Sequence, residues 1–387
     1  MNKPQVFDIS PEEIQRYSRH LVIPEIGLQG QIKLKKASVL IVGCGGLGSP
    51  IALYLAAMGI GRIGIVDYDT IELSNLQRQV IHSTNLVGTS KVQSARSRLM
   101  AINPDIQVDA YDELFTSQNA EKIAEPYQIL IDGTDNIPTR YLLNDLGVLS
   151  GKPYVYGAVY RFIGQMGIFD ASKGACYRCV FPTPPAPELV PSCSVAGVIG
   201  VVPGIIGLLQ ATEVVKFILN IGSPLVSQMV LYDALECKMQ TINVPKNSTC
   251  KVCGSNPEIT QLIDYEQFCH MPMRDQDFDS EDAHSITPAE LKEEIHQHSP
   301  LRLIDLRDSI ELEISQIPGA ENIPFHQLSE KIKGWDKKQA IILICHVGFL
   351  SNIAKRILLE AGFENVRNLK GGIRAWAGES DLPFKVY

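Results

Sequence analysis

Four glycines near the start of the chain have the spacing of a nucleotide-binding turn. Gly43, Gly45 and Gly48 follow a short apolar run at G-x-G-x-x-G spacing, with Gly46 as a fourth glycine. Glycine lets the backbone turn sharply and approach a phosphate, and the helix that follows presents free N–H groups to the anion. Asp67 ends the next apolar run, where a carboxylate can bind ribose hydroxyls. The pattern predicts a nucleotide site without identifying the nucleotide.

Polar residues that follow Asp67 can complete such a site. Asn75, Arg78 and Gln79 would share one face of a helical turn, where an arginine and two amides suit phosphate and ribose oxygens. Lys91 falls in the first turn of a helix that Ser90 is placed to cap. A lysine there opposes the helix dipole, which favours an anion beside it. The alternatives are an exposed polar helix and an idle surface lysine.

Asp135 is the candidate ligand for a metal ion. An apolar run at 127–132 reads as a strand, and Asp135 lies just past its end, where open α/β sheets bind ligands. A carboxylate near a triphosphate is suited to hold Mg²⁺. The alternative is that Asp135 and Asn136 simply form a turn.

Two C-x₂-C pairs, far apart in the chain, predict a second metal site. Cys176 and Cys179 form one pair, and Cys250 and Cys253 form the other. A redox pair would run into a helix, whereas proline-rich sequence follows Cys179. Four thiolates make a tetrahedral, closed zinc site, which would join distant segments. The alternative is four free thiols.

Two further cysteines are candidates for chemistry. Cys345 ends an apolar strand at 340–345, and a short loop then leads to a helix that Ser351 is placed to cap. A thiol in that position faces loop N–H groups and a helix N-terminus, which favour a thiolate or a persulfide. Cys193 follows a proline-rich loop; it fits a buried small residue, and its position keeps a reactive role open.

The elements that position these residues predict an α/β protein. Apolar strands at 38–42 and 62–66 flank a helix, and further strands are expected at 127–132, 153–158 and 165–169. The fold class is a Rossmann-like mixed sheet with a structural zinc site, followed by a smaller α/β domain with strands at 301–307 and 340–345. The predicted boundaries are 1–262 for the first domain, 263–284 for an acidic linker and 285–387 for the second.

Composition narrows the class of protein. The chain has 387 residues, a formal charge of −8 and 45% hydrophobic residues, which argues against nucleic-acid binding. The uncharged segment 195–211 reads as a buried helix rather than a membrane span. The nine cysteines are too sparse for a secreted scaffold, and no signal peptide is evident, so a reducing cytoplasmic compartment is expected.

Taken together, the motifs resemble those of known enzymes. Up to the linker, the chain is similar to the adenylyltransferases of the MoeB/ThiF type, which are relatives of the ubiquitin-activating enzymes. After the linker it resembles a rhodanese domain. The motifs of the first resemblance are both C-x₂-C pairs and residues 16–20 (RYSRH), 43–48 (GCGGLG), 67–69 (DYD), 74–79 (SNLQRQ) and 133–136 (GTDN). Those of the second are the Cys345 loop and residues 304–307 (IDLR), 317–320 (IPGA) and 371–376 (GGIRAW).

The resemblance implies that the nucleotide is ATP. It implies that Asp67 holds the ribose, that Asp135 binds Mg²⁺ and that Arg19 reaches the nucleotide of a second subunit in a homodimer. Cys193 aligns with the cysteine of the family's crossover loop. The residues implied at the nucleotide are Gly43, Gly45, Gly46, Gly48, Asp67, Asp69, Asn75, Arg78, Gln79, Lys91, Asp135 and Asn136.

The implied reaction activates a small ubiquitin-like sulfur carrier that ends in Gly-Gly. Lys91, Arg78 and Mg²⁺ would stabilise the phosphate charge as the carrier's carboxylate is adenylated. A persulfide on Cys345, loaded by a sulfur donor such as a cysteine desulfurase, would attack the adenylate. Cys193 is a candidate to open the resulting acyl disulfide and release a thiocarboxylate. Molybdopterin biosynthesis is the expected pathway, with thiamine, cysteine and tRNA thiolation as alternatives.

One residue departs from the rhodanese pattern, and two other functions compete. Leu350 stands where such loops commonly carry an arginine, so cationic help for a persulfide is missing unless His346 supplies it. In one alternative the second domain is only a docking module. In the other the chain is an NAD-dependent oxidoreductase, although no paired catalytic acid and base accompany the glycine turn.

Overall fold

The chain forms two compact units, Met1–Met271 and Pro272–Tyr387. They are seen in a computed structural model that describes residues 9–185, 197–271, 273 and 284–378. Each unit contains its own sheet, so the division of the chain into two α/β bodies agrees with the predicted fold class.

The described part of the first unit contains one eight-stranded sheet in the order β3-β2-β1-β4-β5-β6-β7-β8. Neighbouring strands from β3 to β5 are parallel, and those from β5 to β8 are antiparallel, as the predicted mixed sheet requires. The strands are β1 Ser38–Val42, β2 Arg62–Val66, β3 Gln107–Tyr111, β4 Ile129–Asp132, β5 Tyr154–Tyr160, β6 Ile163–Phe169, β7 Gln228–Asp233 and β8 Lys238–Asn243.

The helices of this unit begin at local capping signals. Ser10 and Glu13 form a capping box at the first helix, and Ser90 caps the fifth as predicted. The first two helices meet at Tyr17, which is buried and accepts a hydrogen bond from Asn103. The helices are α1 Pro11–Arg16, α2 Ser18–Leu21, α3 Gly27–Lys36, α4 Gly48–Ala57, α5 Lys91–Ile102, α6 Ala120–Ala124, α7 Ile137–Ser150, α8 Tyr177–Val180, α9 Val201–Leu219 and α10 Tyr265–Cys269.

Helix α9 forms much of the core. Among the described residues it is the one helix long and apolar enough to cross a membrane by length and composition. It packs against β5, β6 and α4 and places Val202, Ile206 and Val214 in the main hydrophobic cluster. Gln210 and Glu213 are buried within the same helix. The predicted buried helix is therefore present, with its bounds shifted toward the C-terminus.

Helix α10 lies inside the stretch that was predicted to be a linker. Tyr265 and Cys269 are buried, and the helix packs against α7. The Tyr265 hydroxyl donates to Asp145 of α7 over 2.9 Å. The start of the predicted linker is therefore an ordered part of the first unit, while residues 274–283 lie outside the described residues.

The second unit contains a five-stranded parallel sheet in the order β11-β10-β12-β13-β9. Central strand β12 sends Ile341 and Leu343 into one hydrophobic cluster and Ile342 and Ile344 into another, so helices cover both faces. The strands are β9 Ser285–Ile286, β10 Leu301–Asp305, β11 Glu321–Asn322, β12 Ala340–Ile344 and β13 Val366–Leu369. The helices are α11 Pro288–His296, α12 Ser309–Leu312, α13 Phe325–Lys331, α14 Phe349–Glu360 and α15 Gly372–Gly378.

Candidate functional site

The glycine turn lies where the strand order reverses between β1 and β4. Gly43 has φ +92, and a Cβ on it would lie 2.6 Å from the Gly133 carbonyl oxygen. A Cβ on Gly48 would overlap the Gly43 carbonyl oxygen. These close backbone contacts require glycine at both positions, because any side chain would push the strand ends apart. The turn therefore opens at a topological switch point, the usual ligand position in open α/β sheets.

Asp67 holds the turn through backbone hydrogen bonds. One carboxylate oxygen accepts from the Cys44 N–H over 2.7 Å, and the other accepts from the Asp69 N–H over 2.9 Å. Burial raises the pKa of the Asp67 carboxyl, and the nearby Lys91 ammonium opposes that shift. Asp67 thus shapes the turn in this structure, and contact with ribose stays a prediction.

Lys91 is surrounded by carboxylates. Its side chain belongs to the first residue of α5 and is buried, and Nζ lies 2.7 Å from Asp69 Oδ2. Burial alone would lower the pKa of Lys91, but the charges of Asp67, Asp69 and Asp135 outweigh it and raise the pKa. The anion expected beside this lysine is thus provided by the chain itself. One ammonium and three carboxylates leave a formal excess of two negative charges, which suits a divalent cation.

Arg78 and Gln79 lie over the glycine turn. The Gln79 N–H donates to the Asn75 carbonyl over 2.9 Å, so the predicted helical turn is present after a short 3₁₀ segment at Leu73–Asn75. A Cβ on Gly45 would lie 3.7 Å from Gln79 Nε2, and one on Gly46 would lie 3.4 Å from Arg78 Cδ. In the part of the chain that the structure describes, the buried Gln79 Oε1 has no hydrogen-bond partner. This oxygen is an acceptor available to a ligand at the turn.

Asn75 and Asn136 use their side chains to hold their own turns. Asn75 Oδ1 accepts from the Glu72 N–H over 3.1 Å. Asn136 Oδ1 accepts from the Thr139 N–H over 2.9 Å and caps α7. Each oxygen thus has one bond within its own turn, and the amide NH₂ groups are the donors that a nucleotide could contact. Asp135, next to the Asn136 cap, is exposed.

Asp132 and Arg140 support the loop that carries Asp135, and sequence reasoning missed both. Asp132 is fully buried; its Oδ2 accepts from the Tyr154 hydroxyl over 2.7 Å and lies 3.6 Å from Arg140 Nε. Arg140 Nη2 donates to the Thr134 carbonyl over 3.3 Å. The sequence signal that could have identified Arg140 is its position among mostly apolar residues at the start of α7. This arginine fixes the strand end rather than facing solvent.

Two predicted site residues, Arg19 and Cys193, cannot be assigned to a site from the described part of the chain. Arg19 is exposed on α2, and its predicted role depends on a second copy of the chain. Cys193 lies outside the described residues. The roles of both stay predictions.

The two C-x₂-C pairs come together in one cluster. The ligand atoms of Cys176, Cys179, Cys250 and Cys253 all lie within 4.8 Å of one another. The Sγ–Sγ distances are 3.5 Å for Cys176–Cys250, 3.4 Å for Cys179–Cys253 and 3.9 Å for Cys176–Cys179. Sulfurs at about 2.3 Å from a tetrahedral ion stand about 3.8 Å apart. The cluster therefore fits one metal ion with four thiolate ligands.

Arg178, between the first two cysteines, ties the cluster to α7 and α10. Its guanidinium is 1% exposed and pairs with both oxygens of Asp145 at 2.7 and 2.8 Å. The rings of Tyr141 and Phe268 lie against the same guanidinium, at 4.6 and 4.5 Å. The cysteine cluster is thus joined to a buried ion pair, and Asp145 of that pair also accepts a hydrogen bond from the Tyr265 hydroxyl.

In the second unit, the backbone surrounds the Cys345 sulfur with donors. The N–H groups of Gly348 and Ser351 point at Sγ over 3.2 and 3.3 Å. Gly348 has φ +92 and caps α14, which begins at Phe349. Ser351 was predicted to cap this helix; instead it lies in the first turn, with Oγ 3.3 Å from the sulfur. This cradle can hold a sulfur atom with negative charge.

Burial opposes the predicted thiolate character of Cys345 in the free thiol. The side chain is 2% exposed, and burial raises its pKa although the bonds from Ser351 and Gly348 oppose the shift. Leu350 and Val347 are partly exposed at the loop, and His346 and Phe349 are buried. Apolar residues thus dominate the surroundings, and desolvation exceeds the stabilisation by N–H groups.

Comparisons with known proteins agree with this division of the chain. A model of the ThiF family matches residues 17–252, and a model of the rhodanese-like domain matches residues 287–379. The probable adenylyltransferase/sulfurtransferase MoeZ of Mycobacterium tuberculosis is 43% identical over 385 residues, covering 98% of this chain and 96% of the relative. The adenylyltransferase and sulfurtransferase MOCS3 of Culex quinquefasciatus is 41% identical over 396 residues, covering 98% and 90%.

Among solved structures, E. coli MccB is similar to this chain over about two thirds of its length. A crystal structure of MccB with ATP has a TM-score of 0.54 and 27% sequence identity, and covers 62% of this chain and 73% of that one. A structure of MccB with MccA-N7isoASN has a TM-score of 0.57 and 27% identity, and covers 65% and 77%.

The cysteine cluster is expected to hold one metal ion per chain. Cys250→Ser should remove nearly all bound metal and lower the midpoint of thermal unfolding by about 10 °C, because the cluster joins segments distant in sequence. Elemental mass spectrometry and calorimetry measure the two effects. Cys237→Ser, at an exposed cysteine outside the cluster, is the matched control. Full metal content in Cys250→Ser would contradict the assignment.

The raised pKa of Cys345 predicts slow alkylation near neutral pH. Its reaction with iodoacetamide should rise with pH through a midpoint above the ordinary thiol value of about 8.5. Ser351→Ala should move this midpoint higher, because the variant lacks the hydrogen bond with the Ser351 hydroxyl, which lowers the pKa of Cys345 in the unmodified chain. Peptide mass spectrometry follows both, with exposed Cys237 as the internal reference for reagent reactivity. A Cys345 midpoint below about 8.5 would show that the N–H groups dominate.

Proposed function

The chain belongs to the ThiF family, and we propose that it adenylates the C-terminal carboxylate of a small Gly-Gly sulfur carrier and then converts it to a thiocarboxylate. The observation that carries this proposal is the pairing of two sites in one chain. Buried Lys91 and three carboxylates lie at the glycine turn, and the sulfur cradle of Cys345 lies in the rhodanese-like domain.

ATP is the proposed nucleotide. The MoeZ and MOCS3 relatives are named adenylyltransferases, and the similar MccB fold has been crystallised with ATP. The residues fit this substrate: the glycine turn admits a phosphate, and Gln79 Oε1 is a buried acceptor to which a ribose hydroxyl can donate. Asp135 with Asp69 would hold Mg²⁺, whose charge would offset that of the phosphates. The four-cysteine cluster would hold Zn²⁺ as a structural ion.

In the first step, an oxygen of the carrier's carboxylate attacks the α-phosphorus of ATP. The bond to pyrophosphate breaks, which gives an acyl-adenylate. Lys91 and Arg78 stabilise the charge that develops on the phosphate oxygens, and this requires Lys91 to exchange part of its contact with Asp69 for phosphate. In a homodimer, Arg19 of the second copy would add a further positive charge.

In the second step, the terminal sulfur of a Cys345 persulfide attacks the acyl carbon. AMP leaves, and the carrier is joined to Cys345 as an acyl disulfide. A second thiol then attacks Cys345 Sγ, which releases the thiocarboxylate and forms a disulfide that an external thiol must reduce. Cys193 is the proposed second thiol. A protein that carries a persulfide, such as a cysteine desulfurase, would reload Cys345.

The apolar edge patch is the proposed docking surface for the carrier's body. It is defined by the exposed side chains of Tyr160, Phe162, Ile199, Val201 and Leu235. Backbone hydrogen bonds hold its parts together: the Ile199 N–H donates to the Arg161 carbonyl over 3.3 Å, and the Ala234 N–H donates to the Phe162 carbonyl over 2.9 Å.

The apolar edge patch is continuous with the glycine turn. Val201 begins α9, and a Cβ on the preceding Gly200 would overlap the Gln77 carbonyl oxygen. Two residues further, Pro203 lies so close that a Cβ on Gly46 would be 3.2 Å from its ring. A carrier bound at the patch could therefore extend its Gly-Gly tail along the start of α9 to the nucleotide.

Pathway and compartment depend on the carrier. Molybdopterin biosynthesis in the cytoplasm is the proposed setting, with thiamine, cysteine and tRNA thiolation as alternatives. None of the described cysteines forms a disulfide, which is compatible with a reducing compartment.

Two variants should separate the two steps. Lys91→Met should lower carrier-dependent pyrophosphate–ATP exchange by about 100-fold, because it removes the buried ammonium. Cys345→Ala should keep this exchange and lose the replacement of oxygen by sulfur at the carrier's C-terminus. Intact-mass analysis of each candidate carrier with ATP, Mg²⁺ and a persulfide donor measures the second step.

Three outcomes would contradict these assignments. Full-rate thiocarboxylate formation by Cys345→Ala would leave the second domain as a docking module. Full-rate thiocarboxylate formation by Cys193→Ala would exclude Cys193 as the second thiol. Carrier-independent NADH oxidation would favour an oxidoreductase instead. Cys237→Ser is the matched control for both cysteine variants, because its side chain is exposed and has no role in the proposed steps.

The apolar edge patch gives a separate prediction. Leu235→Asp should weaken carrier binding about tenfold through loss of apolar burial, while ATP affinity stays unchanged. Leu149→Asp, at another exposed leucine of the first unit, is the control. Titration calorimetry with the carrier and with ATP measures both affinities. Equal effects of the two substitutions on carrier affinity would place the docking surface elsewhere.

A further inference from the structure

His82 lies beneath the glycine turn and has no role in the reaction described above. The side chain is only 8% exposed. Its Nε2 is 3.3 Å from the Cys44 carbonyl oxygen, and its Nδ1 is 3.0 Å from Ser94 Oγ. A buried imidazole with both nitrogens engaged is fixed in orientation.

The two contacts define the tautomer. A carbonyl oxygen can only accept, so Nε2 must carry the proton that it donates to Cys44. In the neutral ring Nδ1 is then an acceptor, and the Ser94 hydroxyl donates to it. Burial lowers the pKa of His82 to about 4, and the charge of Lys91 acts in the same direction. The ring is therefore neutral at physiological pH and adds no charge to the nucleotide site.

The hydrogen bonds of His82 join two parts of the nucleotide site. Cys44 lies between Gly43 and Gly45 in the turn, and its N–H is held by Asp67 over 2.7 Å. Asp67 and His82 together fix the two peptide groups that flank Cys44. On the other side of the ring, Ser94 lies in α5, one turn after Lys91. A single side chain thus sets the distance between the glycine turn and the helix that carries the buried ammonium.

We propose that His82 is a positioning residue for ATP, and that its Nε2–H bond to the Cys44 carbonyl keeps the turn in its phosphate-binding shape. The proposal rests on the proposed function only in that ATP is the nucleotide. A phosphate bound at the turn needs several N–H groups that converge on it, and a rotated Cys44 peptide would misdirect those that follow. The contact with Ser94 holds the ring in place, whereas the contact with Cys44 is the one that acts on the ligand.

Amide side chains of two lengths can separate these contacts. The glutamine amide nitrogen reaches the position of His Nε2, so His82→Gln can keep the donation to Cys44. The asparagine amide reaches only the position of Nδ1, so His82→Asn can keep the contact with Ser94 and loses the one with Cys44. His82→Ala loses both. All three variants are made in the full chain, and ATP–Mg²⁺ affinity is measured by equilibrium titration.

His82→Ala and His82→Asn should each weaken ATP binding about tenfold, the size expected for one lost hydrogen bond, whereas His82→Gln should stay within about threefold of the unmodified chain. A purely structural role would not distinguish the two amides by their donor position. Bound metal at the cysteine cluster and the unfolding midpoint without nucleotide should be alike in the asparagine and glutamine variants, which controls for folding. The asparagine and glutamine variants therefore test the positioning role of His82 even if the alanine variant does not fold.

The outcomes separate this inference from the proposed function. If the unmodified chain binds ATP and the asparagine variant binds it equally well, the positioning role is overturned. It is also overturned if glutamine weakens binding as much as asparagine does. If the unmodified chain fails to bind ATP–Mg²⁺ at all, the proposed function itself fails, whatever the variants do.

Discussion

The tightest packing constraint at the nucleotide site of the first unit is the backbone contact between two glycines that follow neighbouring strands. Gly43 at the end of β1 and Gly133 at the end of β4 approach so closely that a Cβ on either would collide with the other's backbone. This approach sets the spacing of the switch point, because α4 and the loop carrying Asp135 both leave from it. The glycines cannot support the turn with side chains of their own, so neighbouring residues do so. Asp67 accepts from the Cys44 N–H, and His82 contacts the Cys44 carbonyl oxygen.

Local features of this site could be predicted from the sequence, and its internal bonds could not. The sequence predicted strand β1 at Ser38–Val42, and it predicted that Ser90 caps α5. Both depend on short-range signals that tertiary packing does not override. The partners of Asp67 and the support of Asp132 by Arg140 depend on segments that only the folded sheet brings together. Asn136 shows the opposite limit: its position in the motif predicts a ligand contact, whereas in the structure its side-chain oxygen caps α7.

The cysteines show how the same side chain serves two purposes in different surroundings. The four cluster thiols lie within 4.8 Å of one another, so one metal ion can bind and stabilise all four as thiolates. Their spacing in the sequence was sufficient to predict this grouping. At Cys345 the groups that face the sulfur are the N–H dipoles of Gly348 and Ser351 and the Ser351 hydroxyl. The pKa of Cys345 depends on two opposing effects, because the N–H dipoles lower it and burial raises it. The sequence predicted the N–H donors but could not show how deeply the sulfur is buried.

The raised pKa of Cys345 is compatible with sulfur transfer once the position of the reacting atom is considered. A protonated thiol is a poor nucleophile, so the free side chain would not attack an acyl-adenylate to give an unproductive thioester. In a persulfide the reacting sulfur lies about 2 Å beyond Sγ, outside the position that is 2% exposed. That outer sulfur would escape much of the desolvation that raises the pKa of the thiol. The N–H groups of Gly348 and Ser351 would still face Sγ, the atom that the second thiol attacks as the thiocarboxylate leaves. Burial would therefore suppress the thiol more than the persulfide, and this selection would not require an arginine at position 350.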